Sequence, residues 1–195
     1  MARKLEFFFD VVSPTAYFAW AQLPGVIERT GADLVYRPFF LGGVMQGTGN
    51  RPPATCEAKG RWMNADLTRF ANRYGLPFVR NPTFPMNTLP IMRAAVAWTS
   101  RPDFEDFLSA VFKAIWADQK AVGEREVLTS VLSDAGLDAE AFWAAAEDPA
   151  NKEALKASTG EAIERGAFGA PTFFIGEEMH FGQDRLDFVE EALRA

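Results

Sequence analysis

The sequence predicts an α/β fold, a sheet domain split in two by a long helical insertion. Three observations carry this. The chain opens with an apolar strand, residues 5–12, that runs straight into a helix beginning SPTAYFAWAQL. Helical patterning then fills the middle of the chain, from about Ala54 to Arg165, with almost no strand signal. Strand character returns only after Gly169. Neither flank holds enough strands for a stable sheet alone, so the two flanks are expected to pair into one.

The first strand, 5–12, is rich in Phe and Val. Ser13 suits the N-cap of the helix that follows. Pro14 suits its first position, where the missing N–H costs nothing. That helix extends to about Thr30, with Pro24 and Gly25 as its candidate bend. Residues 33–40 form the second strand, and Pro38 marks it as an edge or as ending early. LGGVMQGTGNRPPA reads as a Gly/Pro-rich loop. Helices follow at 54–74, 88–100, 103–118, 124–135, 138–146 and 149–165. The segment GLPFVRNPTFP, Pro102, Gly123, Gly136 and Pro149 separate them. PTFFIG and EEMHF read as a hairpin, and a helix from about Arg185 to Arg194 closes the chain. The expected division is a discontinuous domain, 1–45 with 166–195, around a helical domain, 46–165.

Charge and composition narrow the function. The chain has 195 residues, with 20 basic and 26 acidic side chains and a net charge of −6. That balance argues against a nucleic-acid partner, which usually needs a basic patch. No apolar run approaches the roughly 18 residues of a membrane span. MARKLEFFFDVV carries Glu6 and Asp10 and reads as a first strand, not a leader. Cys56 is the only cysteine, so no internal disulfide forms. That fits a reducing compartment, and a cytoplasmic location is expected. No metal-ligand pattern stands out.

An apolar strand feeding a proline-opened helix is how thioredoxin-type folds present Cys-x-x-Cys. Here the four positions are Ser13, Pro14, Thr15 and Ala16. The scaffold that activates sulfur is kept while the sulfur is gone, so the sulfur is expected to arrive with a small molecule. A helix N-terminus favours a nearby anion and lowers thiol pKa values. Lowering a thiol pKa by two units takes about 2.7 kcal/mol of differential stabilisation. The Ser13 hydroxyl can donate to such a thiolate, although a plain helix cap explains Ser13 equally well. A serine hydrolase would need a base, and the only histidine is His180, with no G-x-S-x-G elbow around Ser13.

Further candidates lie downstream. If Pro171 follows a cis peptide bond, the Ala170 N–H and C=O turn outward and can pair with an extended peptide; a trans proline opening a strand is the alternative. In FGQDRLDF, Asp184 can pair with an α-ammonium while Gln183 and Arg185 handle a carboxylate. An acidic cap on the last helix explains Asp184 as well. The Gly-rich segment with Asn50 sits at a domain junction, where loops often line a cleft. It lacks the ending of a phosphate loop.

Assembled in order, the blocks FDVVSPTAYFA, LGGVMQGTGNRPPA, NPTFPMNTLPIMRA, GAFGAPTFFI and FGQDRLDFV resemble the 2-hydroxychromene-2-carboxylate isomerase family, relatives of the kappa-class glutathione transferases. The resemblance spans nearly the whole chain. It implies a thioredoxin-like domain interrupted by helices, as in the oxidoreductase DsbA, and a homodimer. It also implies bound glutathione as a regenerated cofactor. The cysteine backbone of glutathione would pair with Ala170 beside Pro171, its γ-glutamyl end with Gln183, Asp184 and Arg185, and its sulfur with Ser13. The implied reaction interconverts 2-hydroxychromene-2-carboxylate and trans-o-hydroxybenzylidenepyruvate in naphthalene-type aromatic catabolism. Thiolate adds, the ring opens, a bond rotates, and the thiolate leaves. Gln46, Asn50 and Phe84 fall on the substrate side. Gln46 stands where relatives often have lysine, and Phe84 where some offer a tyrosine hydroxyl. A kappa-like transferase and a non-catalytic thiol- or peptide-binding module are the competing functions. A dithiol oxidoreductase is set aside, because one cysteine cannot cycle a disulfide.

Overall fold

The computed structural model describes residues 3–195. Strand β1 (Lys4–Phe9) leads through a turn, closed by Ser13 N–H donating to Asp10 O at 3.0 Å, into α1 (Pro14–Thr30). The turn needs residues 10–12, which is why β1 stops short of the expected strand end. Helix α1 runs through Pro24 and ends on Gly31 in the left-handed region, φ 66°. Strand β2 (Asp33–Pro38) pairs parallel to β1, with Phe7 opposite Tyr36. The chain returns at β3 (Thr172–Ile175), antiparallel to β1, and β4 (Glu178–Phe181) completes the hairpin. The sheet has 4 strands in the order β2-β1-β3-β4, so both flanks of the sequence build it. Its edge strand β2 ends on Pro38.

The run LEFFF explains why β1 is central. Leu5, Phe7 and Phe9 are buried in one apolar cluster with Phe173, while Phe8 is buried in another with Phe39, Val44, Ala162 and Phe174. A strand buried on both faces reads as a continuous apolar run and not as an alternation. Phe7 stacks on Phe173 at 5.3 Å, and Phe8 meets Phe174 edge-on at 5.4 Å.

Between β2 and β3 come α2 (Leu41–Thr48), α3 (Glu57–Tyr74), α4 (Leu89–Trp98), α5 (Phe104–Trp116), α6 (Arg125–Asp134), α7 (Ala139–Glu147) and α8 (Pro149–Glu164); α9 (Leu186–Arg194) closes the chain. Trp98, Phe107, Phe112, Trp116 and Phe142 fill the core of this block. Trp116 Nε1 donates to Val11 O at 3.0 Å, which ties α5 to the end of β1. Helix α8 returns to the sheet, where its Glu161 and Arg165 just beyond it join Glu6 of β1 and Arg37 of β2 in one ion-pair network.

One element corrects the sequence reading. The stretch taken as a loop from Leu41 begins with a two-turn helix, α2, and residue 46 lies inside it. Its glycines serve close packing. A Cβ on Gly42 would stand 2.9 Å from the Phe40 ring, and one on Gly47 would stand 2.8 Å from Ile163 Cδ1 of α8. The composition that mimics a flexible linker is the flat face that lets α2 lie against Phe40 and α8.

Candidate active site

Ser13 is the N-cap of α1 in extended geometry, φ −87° and ψ 118°, and its Oγ accepts from Ala16 N at 3.2 Å. It is buried. The cap leaves its own proton for another acceptor. Ala170 O lies 3.1 Å away and Thr15 Oγ1 lies 2.9 Å away. Thr15 Oγ1 also donates to Ala170 O, at 3.0 Å. The Ala170–Pro171 peptide bond is cis. The sequence reading turned both Ala170 backbone groups outward, but its carbonyl is held by these two hydroxyls. Among the described residues, neither the Ala170 N–H nor the Thr15 N–H has an acceptor within the chain.

These atoms lie in a cleft of about 920 Å³. Ser13, Thr15 and Ala170 border it, together with Gln183 and Asp184 from the 3-10 turn just before α9. Trp62, Phe70, Phe78, Phe84 and Trp116 give it an aromatic lining. Asn50 also lines it, and its Nδ2 donates to Phe168 O at 2.7 Å, which joins the segment after α2 to the segment before Pro171. Arg51, Lys59 and Arg80 are cationic members of the lining, and none of them forms an ion pair among the described residues.

Of the residues singled out in the sequence, Ser13, Ala170, Gln183, Asp184, Asn50 and Phe84 meet at this cleft. Pro171 is buried and outside the lining. Arg185 is turned to its neighbour, with Nη1 2.7 Å from Asp184 Oδ2, and does not line the cleft. Gln46 is exposed on α2 and absent from the lining, where Met45 stands instead. A helix in place of a loop fixes which of two adjacent side chains faces inward. His180 lies on β4 opposite Phe173, away from the cleft, which leaves Ser13 without an imidazole base.

The sequence did not single out Tyr74, Thr15 or Asp10. Tyr74 Oη donates to Gln183 Oε1 at 2.7 Å, so the buried amide is oriented from α3. Burial pushes the Tyr74 phenol up, so it stays a donor. Asp10 is fully buried and borders the cleft. Its Oδ1 accepts from Val12 N at 3.0 Å and from Thr88 Oγ1 at 2.9 Å, and its Oδ2 accepts from Leu41 N at 3.0 Å. One carboxylate thus fastens the turn into α1, the first residue of α2 and the residue capping α4. Burial, opposed by those three donors, raises its pKa from 3.8 to about 6. An aspartate three residues before Ser13 was the available signal.

The arrangement suits binding and stabilising an anion at the start of α1. Hydroxyl donors, a free amide and the positive end of the helix converge there.

The DSBA-like thioredoxin domain family matches residues 4–194. The 2-hydroxychromene-2-carboxylate isomerase of Sphingobium xenophagum is 32% identical over 195 residues, 99% of each chain. The chain belongs to the 2-hydroxychromene-2-carboxylate isomerase family. A solved structure of a 2-hydroxychromene-2-carboxylate isomerase superposes with a TM-score of 0.87 at 29% identity, covering 97% of this chain and 94% of the other. Glutathione S-transferase kappa 1 of Caenorhabditis elegans is 28% identical over 206 residues, 98% of this chain and 91% of its own. The isomerase family is thus built here on a DsbA-like thioredoxin fold with inserted helices.

Proposed function

We propose that this chain is a glutathione-dependent isomerase that interconverts 2-hydroxychromene-2-carboxylate and trans-o-hydroxybenzylidenepyruvate in aromatic catabolism. The observation that carries the reading is the pair of hydroxyls, Ser13 and Thr15, converging beside Ala170 at a helix start inside an aromatic-lined cleft. The residues present fit glutathione. The unpaired Ala170 N–H suits a peptide carbonyl, the Asp184 carboxylate suits an ammonium, and the buried Gln183 amide suits the adjoining carboxylate. Arg185 stays outside the cleft lining, paired with Asp184. When bound, glutathione supplies a thiol whose ionised form adds reversibly to a conjugated system.

The chain's own residues set the conditions. Ser13 donates its hydroxyl proton to the sulfur position, and the start of α1 favours negative charge there. The aromatic walls exclude water and hold a flat substrate. Asn50 and Phe84 line the substrate side. With Gln46 outside the cleft, the substrate carboxylate falls to the rim cations Arg51, Lys59 and Arg80. Among the described residues no helix is long and apolar enough to cross a membrane. The reading places the enzyme in the reducing cytoplasm, where glutathione remains a thiol. It also includes the homodimer that the family resemblance implies, which sedimentation of the purified chain tests.

The activity test supplies the chromene acid and glutathione and follows the ultraviolet spectrum of the open-chain product. Turnover with glutathione recovered unmodified supports the isomerase. Ser13→Ala should lower kcat by on the order of a hundredfold, the effect of removing one donor to a developing anion. Unchanged turnover would remove Ser13 from the mechanism. The similarity to a kappa-class transferase favours one second reading, conjugation of electrophiles. A stable adduct in the product mass spectrum would establish it in place of the isomerase, and glutathione binding with neither outcome would leave a thiol-binding module.

A further inference from the structure

The charged groups around the cleft are unevenly paired. Glu57, Asp66 and Asp184 each hold an arginine of their own element, whereas Arg51, Lys59 and Arg80 hold no carboxylate among the described residues. These three cations are mounted differently. Arg51 follows Asn50, whose side chain bonds Phe168 O, so it stands on the Ala170 side. Lys59 lies in the first turn of α3, where residues 57–64 include no buried side chain. Arg80 is exposed too, but its backbone is fastened on both sides. Val79 N–H donates to Trp116 O at 2.7 Å, and Gln119 Nε2 donates to Arg80 O at 3.0 Å. The next residue, Asn81, is buried, and its Nδ2 donates to Ile115 O at 3.0 Å and to Lys120 O at 2.9 Å. A cation on a fixed backbone needs little further ordering to meet an anion.

What Arg80 adjoins is an aromatic wall. Phe78 stacks on Trp116 at 5.9 Å with the planes 25° apart, and Phe84 meets Trp116 at 5.8 Å. Trp116 Nε1 also donates to Val11 O, in the turn that ends at Ser13. One indole therefore joins the wall to the Ser13 corner. Arg80 stands at the margin of that wall, separated from Phe78 by at most about 7 Å of chain. We propose that Arg80 is the specificity-determining cation of the substrate side, its guanidinium receiving the carboxylate of a flat aromatic acid laid on Phe78, Trp116 and Phe84. The inference rests on the isomerase reading above and narrows its three rim cations to one. A guanidinium presents a planar fork that matches a carboxylate with two parallel hydrogen bonds. The wall binds the ring whatever its charge, and Arg80 selects the acid.

The probes are 1-naphthoate and its neutral counterpart 1-naphthamide. Each is titrated by calorimetry, in excess glutathione, into the wild type and into Arg80→Gln, Arg51→Gln and Lys59→Gln. The wild type should prefer the naphthoate by about tenfold, the size of one charge-assisted pair. Arg80→Gln should lose that preference and keep its affinity for the amide, which reports the aromatic wall. Added salt should shrink the preference of the wild type and leave Arg80→Gln unmoved. With the chromene acid as substrate, Arg80→Gln should raise KM by about tenfold and change KM more than kcat. A preference that survives in Arg80→Gln overturns the inference. So does one that falls as far in Arg51→Gln or Lys59→Gln, or one absent from the wild type. A preference that depends on Arg80, in a chain that leaves the chromene acid unchanged, removes the isomerase reading and keeps Arg80 as the carboxylate site.

Discussion

Replacing Asp10 with asparagine should change the pH dependence of folding in a defined direction. Asp10 is fully buried and its pKa is raised from 3.8 to about 6. Between those two values the folded chain holds a proton that the unfolded chain has released. The stability associated with Asp10 is therefore greatest in acid, below the unfolded value, and is lost as pH rises through the folded one. A rise of this size converts to about 3 kcal/mol at 1.36 kcal/mol per pH unit. Asparagine does not titrate. It offers one acceptor oxygen where the carboxylate uses two, so its amide nitrogen would face Leu41 N, now bonded to Asp10 Oδ2. That mismatch costs about 1–3 kcal/mol at every pH. Urea unfolding followed by far-ultraviolet circular dichroism gives the stability of both proteins across the acid-to-neutral range. The wild type should hold its largest advantage at about pH 3, below the unfolded value, and lose about 3 kcal/mol of it by about pH 7. A difference that stays flat, or grows toward neutrality, would refute the account of Asp10 as a carboxyl disfavoured by burial.

Tyr74→Phe removes the donor to the buried Gln183 Oε1. Glutathione affinity by calorimetry should weaken on the order of tenfold, with the fold intact. Trp116→Phe deletes the bond to Val11 O and part of the packing on Phe78 and Phe84. A loss of about 1–3 kcal/mol in chemical denaturation is expected. Glu6→Ala removes the shared partner of Arg37 and Arg165 at a mostly buried position, whereas Glu161→Ala removes a half-exposed one. The first should lower the denaturation midpoint clearly more than the second, because burial sets the worth of an ion pair.

What the sequence revealed and what it hid divides by the range of the interaction. The Ser13–Pro14 helix start, the apolar run through Phe9 and the hairpin after Pro171 are local patterns, and each could be read from consecutive residues. The helices of the insertion were legible for the same reason. Helix α2 was not, because the meaning of Gly42 and Gly47 lies in Phe40, a near neighbour, and in Ile163, far along the chain. Gln46, which the family resemblance puts on the substrate side, lies on that helix outside the cleft lining. Tyr74 and Thr15 were missed because their partners, Gln183 and Ala170, are more than a hundred residues away. Asp10 was missed because its burial depends on α2 and α4 closing over it.

The bond from Ser13 to Ala170 spans 157 residues of chain. During synthesis the N-terminal half therefore leaves the ribosome with the corner at Ser13 unfinished, and only the last stretch, carrying β3 and β4, completes it. Contacts this distant in sequence form late and slowly. Shortening the C-terminus would accordingly silence the protein and expose the long Phe-rich first strand together, so a truncated product should precipitate before it could bind ligand wrongly.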